Sequence, residues 1–202
     1  VRKFKMMQLD LLRHGETELS HTLRGSIDDA LTKKGWQQMQ RTIDLVENAD
    51  WDVIISSPLQ RCLHFAEHMQ KQLQCPLWID AGLKEMNFGD WEGKTTQWIY
   101  EHHPEELAKF WETPTCYTPP DAEPITDFHQ RIEKSHIEIQ QRMQQHQFKK
   151  ALVITHGGVI KMFKLMALKQ PLDDILKMSA ELGQLVSFKM HEQTQIIWEQ
   201  QQ

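Results

Sequence analysis

The stretch Leu11-Leu12-Arg13-His14-Gly15-Glu16-Thr17 follows a short apolar run over residues 6–12. A run this short and this apolar predicts a buried β-strand rather than an amphipathic helix. Gly15 then interrupts the pattern, and a polar segment follows. Ligands bind where the first strand of an open α/β sheet ends, so His14, between Arg13 and Gly15, is a candidate site residue. Taken alone, the motif is more typical of a strand that ends in a polar turn.

The remaining pattern predicts strands and helices in alternation. Further strands are predicted over 51–55, 77–79, 151–155, 184–190 and 195–198, the last two forming a hairpin with its turn near Glu192. Helices are predicted over 32–48 with Thr32 as the cap, 59–74 with Leu63, Ala66 and Met69 facing inward, 125–147 and 159–168. This alternation predicts an α/β fold, a three-layer sandwich with a mostly parallel central sheet flanked by helices. We expect residues 1–202 to form one domain.

Chemically useful residues follow three of the predicted strands. His14 follows the first strand, Arg61 lies in the first turn of the helix after the second, and His156 follows the strand 151–155. Parallel strands end at one edge of a sheet, so we expect these side chains and Arg13 to lie close together. Helix N-termini at that edge favour anions. Arginine adds a planar donor fork that suits phosphate oxygens, so this edge is predicted to be a phosphate site.

Bulk properties exclude several classes of protein. The formal net charge of -5 argues against nucleic-acid binding, which needs a basic surface. No apolar run reaches the roughly 18 residues of a membrane-spanning helix, and no signal-peptide hydrophobic region follows the basic residues 1–5. Cys62, Cys75 and Cys116 are far apart, which argues against a disulfide framework or a thiolate zinc site. We therefore predict a cytoplasmic protein with no metal, nucleic-acid or membrane partner.

Four motifs together resemble one known family. In chain order they are Arg13-His14-Gly15-Glu16-Thr17, Ser57-Pro58-Leu59-x-Arg61, Glu85-x-x-Phe88-Gly89-Asp90-Trp91-Glu92-Gly93 and Thr155-His156-Gly157-Gly158. This series resembles the histidine phosphatase superfamily, also called the phosphoglycerate mutase family, over roughly residues 6–165. Two further motifs are similar to its α-ribazole phosphatase branch: Arg61-Cys62-x-x-Phe65-Ala66-Glu67 and Pro119-Pro120-x-x-Glu123. The resemblance implies a phosphoglycerate mutase-like fold and a phosphoric monoester hydrolase of the histidine acid phosphatase type.

The resemblance also implies a role for each central residue. His14 would be the nucleophile and would form a phosphohistidine. It must be neutral to attack, and positive charge on Arg13 and Arg61 disfavours its protonated form. Arg13, Arg61 and His156 would hold the equatorial phosphate oxygens. Glu85 would protonate the leaving oxygen and then activate water, which calls for a partly desolvated carboxyl group.

Further substrate contacts are expected from Ser20, Arg24, Gly25 and Gly157. Ser20 stands where the family usually has Asn, so a hydroxyl replaces an amide donor to phosphate. Arg24 and Gly25 follow in the same polar loop, and Gly157 begins the helix after the late strand. We expect residues 86–124 to form the substrate-specificity or lid segment. The chemistry implied by the resemblance needs no metal and no cofactor.

Several functions remain open at this point. The branch resemblance implies that the substrate is α-ribazole 5′-phosphate, a precursor in cobalamin assembly. The alternatives are a broad-specificity phosphatase, a phosphoglycerate-type phosphomutase and a non-catalytic binder of phosphate ligands on the same fold. Mutases of this family tend to be longer, and non-catalytic members commonly lose the nucleophile or the acid. The expected partner is a small-molecule phosphate ester, and a homodimer is the default expectation for the assembly.

Overall fold

A computed structural model of the chain describes residues 6–191 and 195–198. Within them, one sheet contains β1 (Met7–Arg13), β2 (Val53–Ser56), β3 (Leu77–Ile79), β4 (Lys150–Thr155), β5 (Leu185–Met190) and β6 (Ile196–Ile197). The order across the sheet is β3-β2-β4-β1-β5-β6. The first four strands pair in parallel, and β5 and β6 continue the sheet in antiparallel pairing.

The α-helices lie between the strands, as the sequence pattern predicts. They are α1 (Lys33–Asp44), α2 (Gln60–Leu73), α3 (Thr96–His102), α4 (Pro104–Glu112), α5 (Ile125–Gln145) and α6 (Gly157–Leu168). Thr32 is the N-cap of α1 as predicted, since its hydroxyl accepts the Gly35 N–H at 3.1 Å. Among the described residues, no helix combines the length and the apolar character needed to cross a bilayer.

Each face of the sheet packs against its own helices, which gives three layers. Along β1, Leu11 and Leu12 point to opposite faces, as neighbours on a strand must. One core combines sheet residues with α1 and α2: Leu12, Ile54, Leu152 and Ile154 with Met39, Ile43, Phe65 and Met69. The other core combines the opposite face with α5 and α6: Leu9, Leu11, Val53, Ile55 and Val153 with Phe128, Ile132, Ile139, Val159 and Ile160. The predicted three-layer, mostly parallel α/β fold is confirmed.

Three parallel strands end at nearly the same level. Arg13 of β1 pairs with Thr155 of β4, so the next residues, His14 and His156, lie side by side. The His14 N–H donates to the Thr155 carbonyl oxygen at 3.0 Å. On the other side of β4, Ser57 follows β2 and donates its N–H to the β4 backbone at 3.0 Å. Strand register alone therefore brings His14, Ser57 and His156 together at one edge of the sheet.

The structure differs from the sequence prediction in two places, and a third prediction is not tested. Leu63 of α2 is only partly buried, because α2 is rotated so that Arg61 and Cys62 face inward with Phe65. A 3₁₀ helix over Leu172–Lys177 was not expected, since it follows a loop proline with little periodicity. The predicted hairpin turn near Glu192 lies outside the described residues.

A buried carboxylate ties the start of β1 to its neighbours. Asp10, only 1% exposed, accepts hydrogen bonds from Trp51 Nε1 at 2.7 Å and Ser187 Oγ at 2.6 Å. We expect Asp10→Ala to lower the free energy of unfolding by about 1–3 kcal/mol, because it leaves the buried indole N–H without an acceptor. Urea unfolding followed by tryptophan fluorescence measures this change.

The control is Asp50→Ala, since Lys150 lies 3.9 Å from Asp10 and also pairs at 2.9 Å with Asp50, whose side chain is 79% exposed. An exposed ion pair of this kind contributes less than about 1 kcal/mol. Equal losses for the two variants would contradict a structural role for buried Asp10.

Candidate active site

A cavity of about 360 Å³ opens at the carboxyl edge of the parallel strands. Six of the predicted site residues line it: Arg13, His14, Ser20, Arg24, Glu85 and Gly157. Two larger cavities lie elsewhere and contain none of the predicted site residues. The strand ends thus lead into one enclosed space in which a small ligand fits.

His14 is held as a neutral imidazole with one nitrogen available. Its Nδ1–H donates to the Gly15 carbonyl oxygen at 2.8 Å, which leaves the Nε2 lone pair free. The side chain is almost fully buried. Burial, with the positive charges of Arg61 and Arg13, holds the pKa of His14 well below its usual value. A neutral imidazole next to positive charge is the state that a nucleophilic histidine needs.

Two buried guanidinium N–H groups lack a partner among the described residues: Arg13 Nε and Arg61 Nε. Arg13 is fixed by a 2.5 Å hydrogen bond from Nη1 to the Ala180 carbonyl oxygen. Arg61 donates its terminal nitrogens to three oxygens: Ile27 O at 2.7 Å, Gly25 O at 3.0 Å and Asp29 Oδ1 at 3.4 Å. Unsatisfied buried donors are costly, so these two N–H groups indicate an anion site beside His14.

His156 lies behind His14 and does not line the cavity. The two rings meet edge to face with centroids 5.3 Å apart. Its Nε2 is hydrogen-bonded to the Ser57 hydroxyl at 2.7 Å. Burial and the charge of Arg61 hold the pKa of His156 well below its usual value, so the ring is neutral at neutral pH. The positive charge of this site therefore comes from its arginines, since both histidines are neutral.

A thiol lies within reach of the same ring, with Cys62 Sγ 3.7 Å from His156 Nε2. Complete burial raises the pKa of the Cys62 thiol, which therefore stays protonated. Cys62 is a packing residue and not a second nucleophile. Among the residues that the structure describes, no group of three His, Cys, Asp or Glu is arranged around a common metal position.

Glu85 lies on the cavity wall at the N-terminus of α6. One carboxylate oxygen accepts the Gly158 N–H at 3.0 Å, and the other accepts the Met86 N–H at 3.0 Å. The side chain is half-buried, as we expected for an acid. Arg131, which the sequence did not single out, donates to the Glu85 carbonyl oxygen at 3.0 Å and fixes this part of the backbone.

The predicted phosphate contacts divide into two groups. Ser20 and Arg24 line the cavity, and Gly157 lies at the open N-terminus of α6 beside Arg13. Arg24 is anchored by Asp29, with Nε to Oδ1 at 3.1 Å. Gly25 differs from the expectation, because its N–H donates to Glu92 at 3.0 Å and its carbonyl oxygen accepts from an arginine. Gly25 therefore supports the buried arginine and has no donor left for phosphate.

A single carboxylate organises the loop that supports Arg61. Glu92 accepts N–H groups from Gly25, Ser26 and Ile27 at 2.7–3.0 Å, and a fourth from Phe88 at 3.2 Å. Partial burial would raise the pKa of Glu92, but these hydrogen bonds outweigh that effect and hold it below its usual value. The loop carbonyls that bind Arg61 thus take their positions from Glu92.

The loop over residues 25–27 packs unusually closely against the backbone that follows Glu85. A Cβ placed on Gly25 would lie 1.6 Å from the Met86 carbonyl oxygen, so no other residue fits without moving one backbone. The glycine here is required by this close approach. Residues 85–87 and the loop over residues 25–27 are therefore one packed unit.

Residues 86–124 provide much of the far wall of the cavity. This wall is mostly apolar, and the residues from the segment that line it are Met86, Phe88, Trp91, Thr96, Leu107, Phe110, Trp111 and Pro114. The segment leaves and returns at neighbouring points, since the Glu123 N–H donates to the Asn87 carbonyl oxygen at 2.9 Å. Trp111 is 50% exposed at the mouth, whereas Trp98 stacks on His102 outside the cavity.

Lys161 is the cavity residue that the sequence interpretation missed. It lies on α6, four residues after Gly157, and this spacing places both residues on one face of the helix. The helical spacing was available in the sequence, but a lysine on a helix is normally solvated. Here the side chain lines the cavity instead.

Comparison with known proteins places these residues in context. The family model described as histidine phosphatase superfamily (branch 1) matches residues 9–200. The bifunctional protein Rv2228c of Mycobacterium tuberculosis is 32% identical over 187 residues, 91% of this chain and 47% of that protein. This chain therefore spans about half the length of that relative.

Two further relatives match the chain over most of their length. The adenosylcobalamin/α-ribazole phosphatase of Escherichia coli is 28% identical over 158 residues, 77% of this chain and 76% of that protein. The solved structure of Bacillus stearothermophilus YhfR superposes with a TM-score of 0.84 at 28% identity and covers 95% of each chain. The sequence and the fold thus point to the same family.

The contacts of Glu92 lead to a prediction for Glu92→Gln. Loss of the charged acceptor should lower the free energy of unfolding by about 1–3 kcal/mol and kcat/KM by about 10- to 100-fold, since Arg61 loses its fixed loop. The native pKa is depressed, so this stabilisation is complete above the unfolded pKa, near 4.5, and disappears as pH falls through the native value. Urea unfolding of both proteins from pH 7 to pH 3 measures the difference in their free energies of unfolding, which should shrink as the pH falls.

Asp90→Asn is the matched control, because Asp90 is exposed and lies two residues away, in the 3₁₀ helix Gly89–Trp91 that Glu92 follows as C-cap. It should change neither the equilibrium constant of unfolding nor kcat/KM by more than about twofold. A difference between Glu92→Gln and wild type that persists unchanged to pH 3 would contradict the role of the charge.

Proposed function

The chain belongs to the histidine phosphatase superfamily, and from this we propose that it hydrolyses phosphate monoesters through a phosphohistidine formed on His14. One observation carries the proposal: the unpartnered Nε–H groups of Arg13 and Arg61 are buried beside a neutral imidazole. A phosphoryl group at that point would accept a hydrogen bond from Arg13, which lines the cavity, would be attracted by the charge of Arg61 behind the wall, and would meet the free Nε2 of His14. Positioning and charge stabilisation are what phosphoryl transfer mainly requires of a protein.

The first step transfers the phosphoryl group to the enzyme. His14 Nε2 attacks phosphorus in line, the N–P bond forms, and the bond from phosphorus to the ester oxygen breaks. Glu85, in its protonated form, gives its proton to the departing oxygen. Arg13, Arg61 and Arg24 stabilise the negative charge on the equatorial oxygens, and the N–H of Gly157 adds the dipole of α6.

The second step returns His14 to its starting state. Glu85, now a carboxylate, takes a proton from water as the water oxygen attacks phosphorus. The N–P bond breaks, and inorganic phosphate leaves with Glu85 reprotonated. His156 acts through its neutral ring and the Ser57 hydroxyl, which together support His14 from behind.

We propose α-ribazole 5′-phosphate as the candidate substrate within this class. Support comes from the similarity to the Escherichia coli enzyme and from the apolar, aromatic-rich wall formed by residues 86–124. An aromatic base would bury apolar surface against this wall. The same wall also suits other aromatic esters, which makes a broad-specificity phosphatase the second candidate.

Removal of the nucleophile tests the chemistry. His14→Ala should lower kcat by at least about 1,000-fold, because it removes the imidazole that is held neutral beside Arg13 and Arg61. Rapid quenching of wild type with a phosphate-labelled aryl ester should trap phosphate that survives alkali and is released by acid. His64→Ala, on the exposed face of α2, is the control and should retain both signals. Full activity in His14→Ala would end the proposal.

A matched pair of substrates tests whether the enzyme prefers a leaving group that carries an aromatic base. We expect kcat/KM for α-ribazole 5′-phosphate to exceed that for ribose 5-phosphate by about 10- to 100-fold, since only the first carries an aromatic base. Trp111→Ala should reduce this ratio, and Trp98→Ala, outside the cavity, should not. A flat profile across many esters would favour the broad-specificity enzyme and leave the chemistry intact.

A further inference from the structure

Lys161 places an ammonium group in the wall of the cavity. The residue lies one turn into α6, beyond Gly157 and Gly158, which line the same space. Its side chain is partly buried, and burial lowers the pKa of Lys161. Removing an ammonium group from water costs free energy unless a partner compensates.

No partner of that kind is found for Lys161 within the described part of the chain. It makes no hydrogen bond to those residues, no ion pair within 4.0 Å and no contact over an aromatic ring. Lys164, one turn further along α6, is anchored, since its Nζ donates to the Ser179 carbonyl oxygen at 2.6 Å and lies 4.7 Å from the Trp198 ring centroid. The cation of Lys161 is therefore available to a ligand.

The position of Lys161 along α6 places it on the side of the cavity where Glu85 lies. Gly158, whose N–H donates to Glu85 at 3.0 Å, lies three residues before Lys161 on the same face of the helix. Glu85 and Glu181 attract the ammonium group, and Arg13 repels it. Lys161 thus lies on the side of the candidate proton donor, where the leaving group of the substrate would lie.

The side chains around Lys161 determine which kind of ligand group its ammonium can bind. Beyond Glu85, the cavity wall consists mainly of apolar side chains such as Phe128 and Ile175, which offer no competing charge. A cation in a mostly apolar wall selects for an anionic group in that position. The phosphoryl group itself is already served by the arginines at the His14 end.

We infer that Lys161 is a specificity-determining residue that binds an acidic substituent, a carboxylate or a second phosphate, on the leaving group of the substrate. This inference rests on the proposed function. It adds a substrate class to the candidate above: esters whose leaving group combines apolar surface with an acidic group. The leaving group of α-ribazole 5′-phosphate carries hydroxyl groups and no acidic group, so the inference ranks acidic esters above it.

Two near-isosteric probes test the inference: 4-carboxyphenyl phosphate and 4-carbamoylphenyl phosphate, each with its 3-substituted isomer. The measured quantity is the ratio of kcat/KM for the carboxylate to that for the amide. We expect Lys161→Met to lower this ratio by about tenfold or more and Lys161→Arg to retain most of it. Comparing ratios between variants cancels the different leaving-group reactivities of the two esters.

Lys109→Met is the matched control, because Lys109 is an exposed lysine on α4 near the cavity wall. It removes one positive charge without opening the cavity and should change the ratio by less than about twofold, as screening of exposed charges predicts. Thermal unfolding of each variant checks the fold. Lys161→Gln replaces Lys161→Met if the methionine variant does not fold.

Three results would overturn the inference. An unchanged ratio in Lys161→Met shows that the cation does not contact the substituent. An equal loss for both esters, or the same displacement of both pH profiles, shows that Lys161 acts on the phosphoryl group or through Glu85. Absence of turnover with every ester overturns the proposed function as well, whereas turnover that needs His14 and ignores Lys161 overturns only the inference.

Discussion

The fully buried guanidinium of Arg61 is the constraint on which the site depends. A charged group can be buried only if hydrogen bonds and opposite charge replace water, and here two loop carbonyls and Asp29 do so. Those carbonyls need a fixed loop, and Glu92 fixes it with three backbone hydrogen bonds. Burial of one charged group thus fixes the positions of the surrounding loop, of Asp29 and of Glu92.

The same arrangement explains how a neutral imidazole exists beside three arginines. The sheet sets the backbone positions of His14 and His156 by register, and burial removes the water that would stabilise their protonated forms. The arginines then add to this effect and leave an anion as the preferred guest. These groups become ordered when the chain folds, so binding of an anion requires little further rearrangement.

Much of the fold and of the central site could be predicted from local patterns. The strands that end before His14 and His156 have short apolar runs, and strand pairing must bring such ends together. Contacts that depend on side-chain direction could not be predicted, because spacing alone does not show which way a loop carboxylate or a helical lysine points. Glu92 and Lys161 are the examples. The rotation of α2 belongs to the same class, since apolar periodicity favours burial of Leu63 and gives no sign that Arg61 is the residue buried.

The neighbouring start and end of segment 86–124 have a consequence for how such enzymes diversify. Asn87 and Glu123 hold the two ends together, and Arg131 links Glu123 to the backbone of Glu85. A chain segment whose ends are pinned can change in length or sequence at little entropic cost and without disturbing the frame that carries it. The molecule is therefore modular: the residues around His14 and the segment 86–124 can evolve, or be exchanged by an engineer, at different rates.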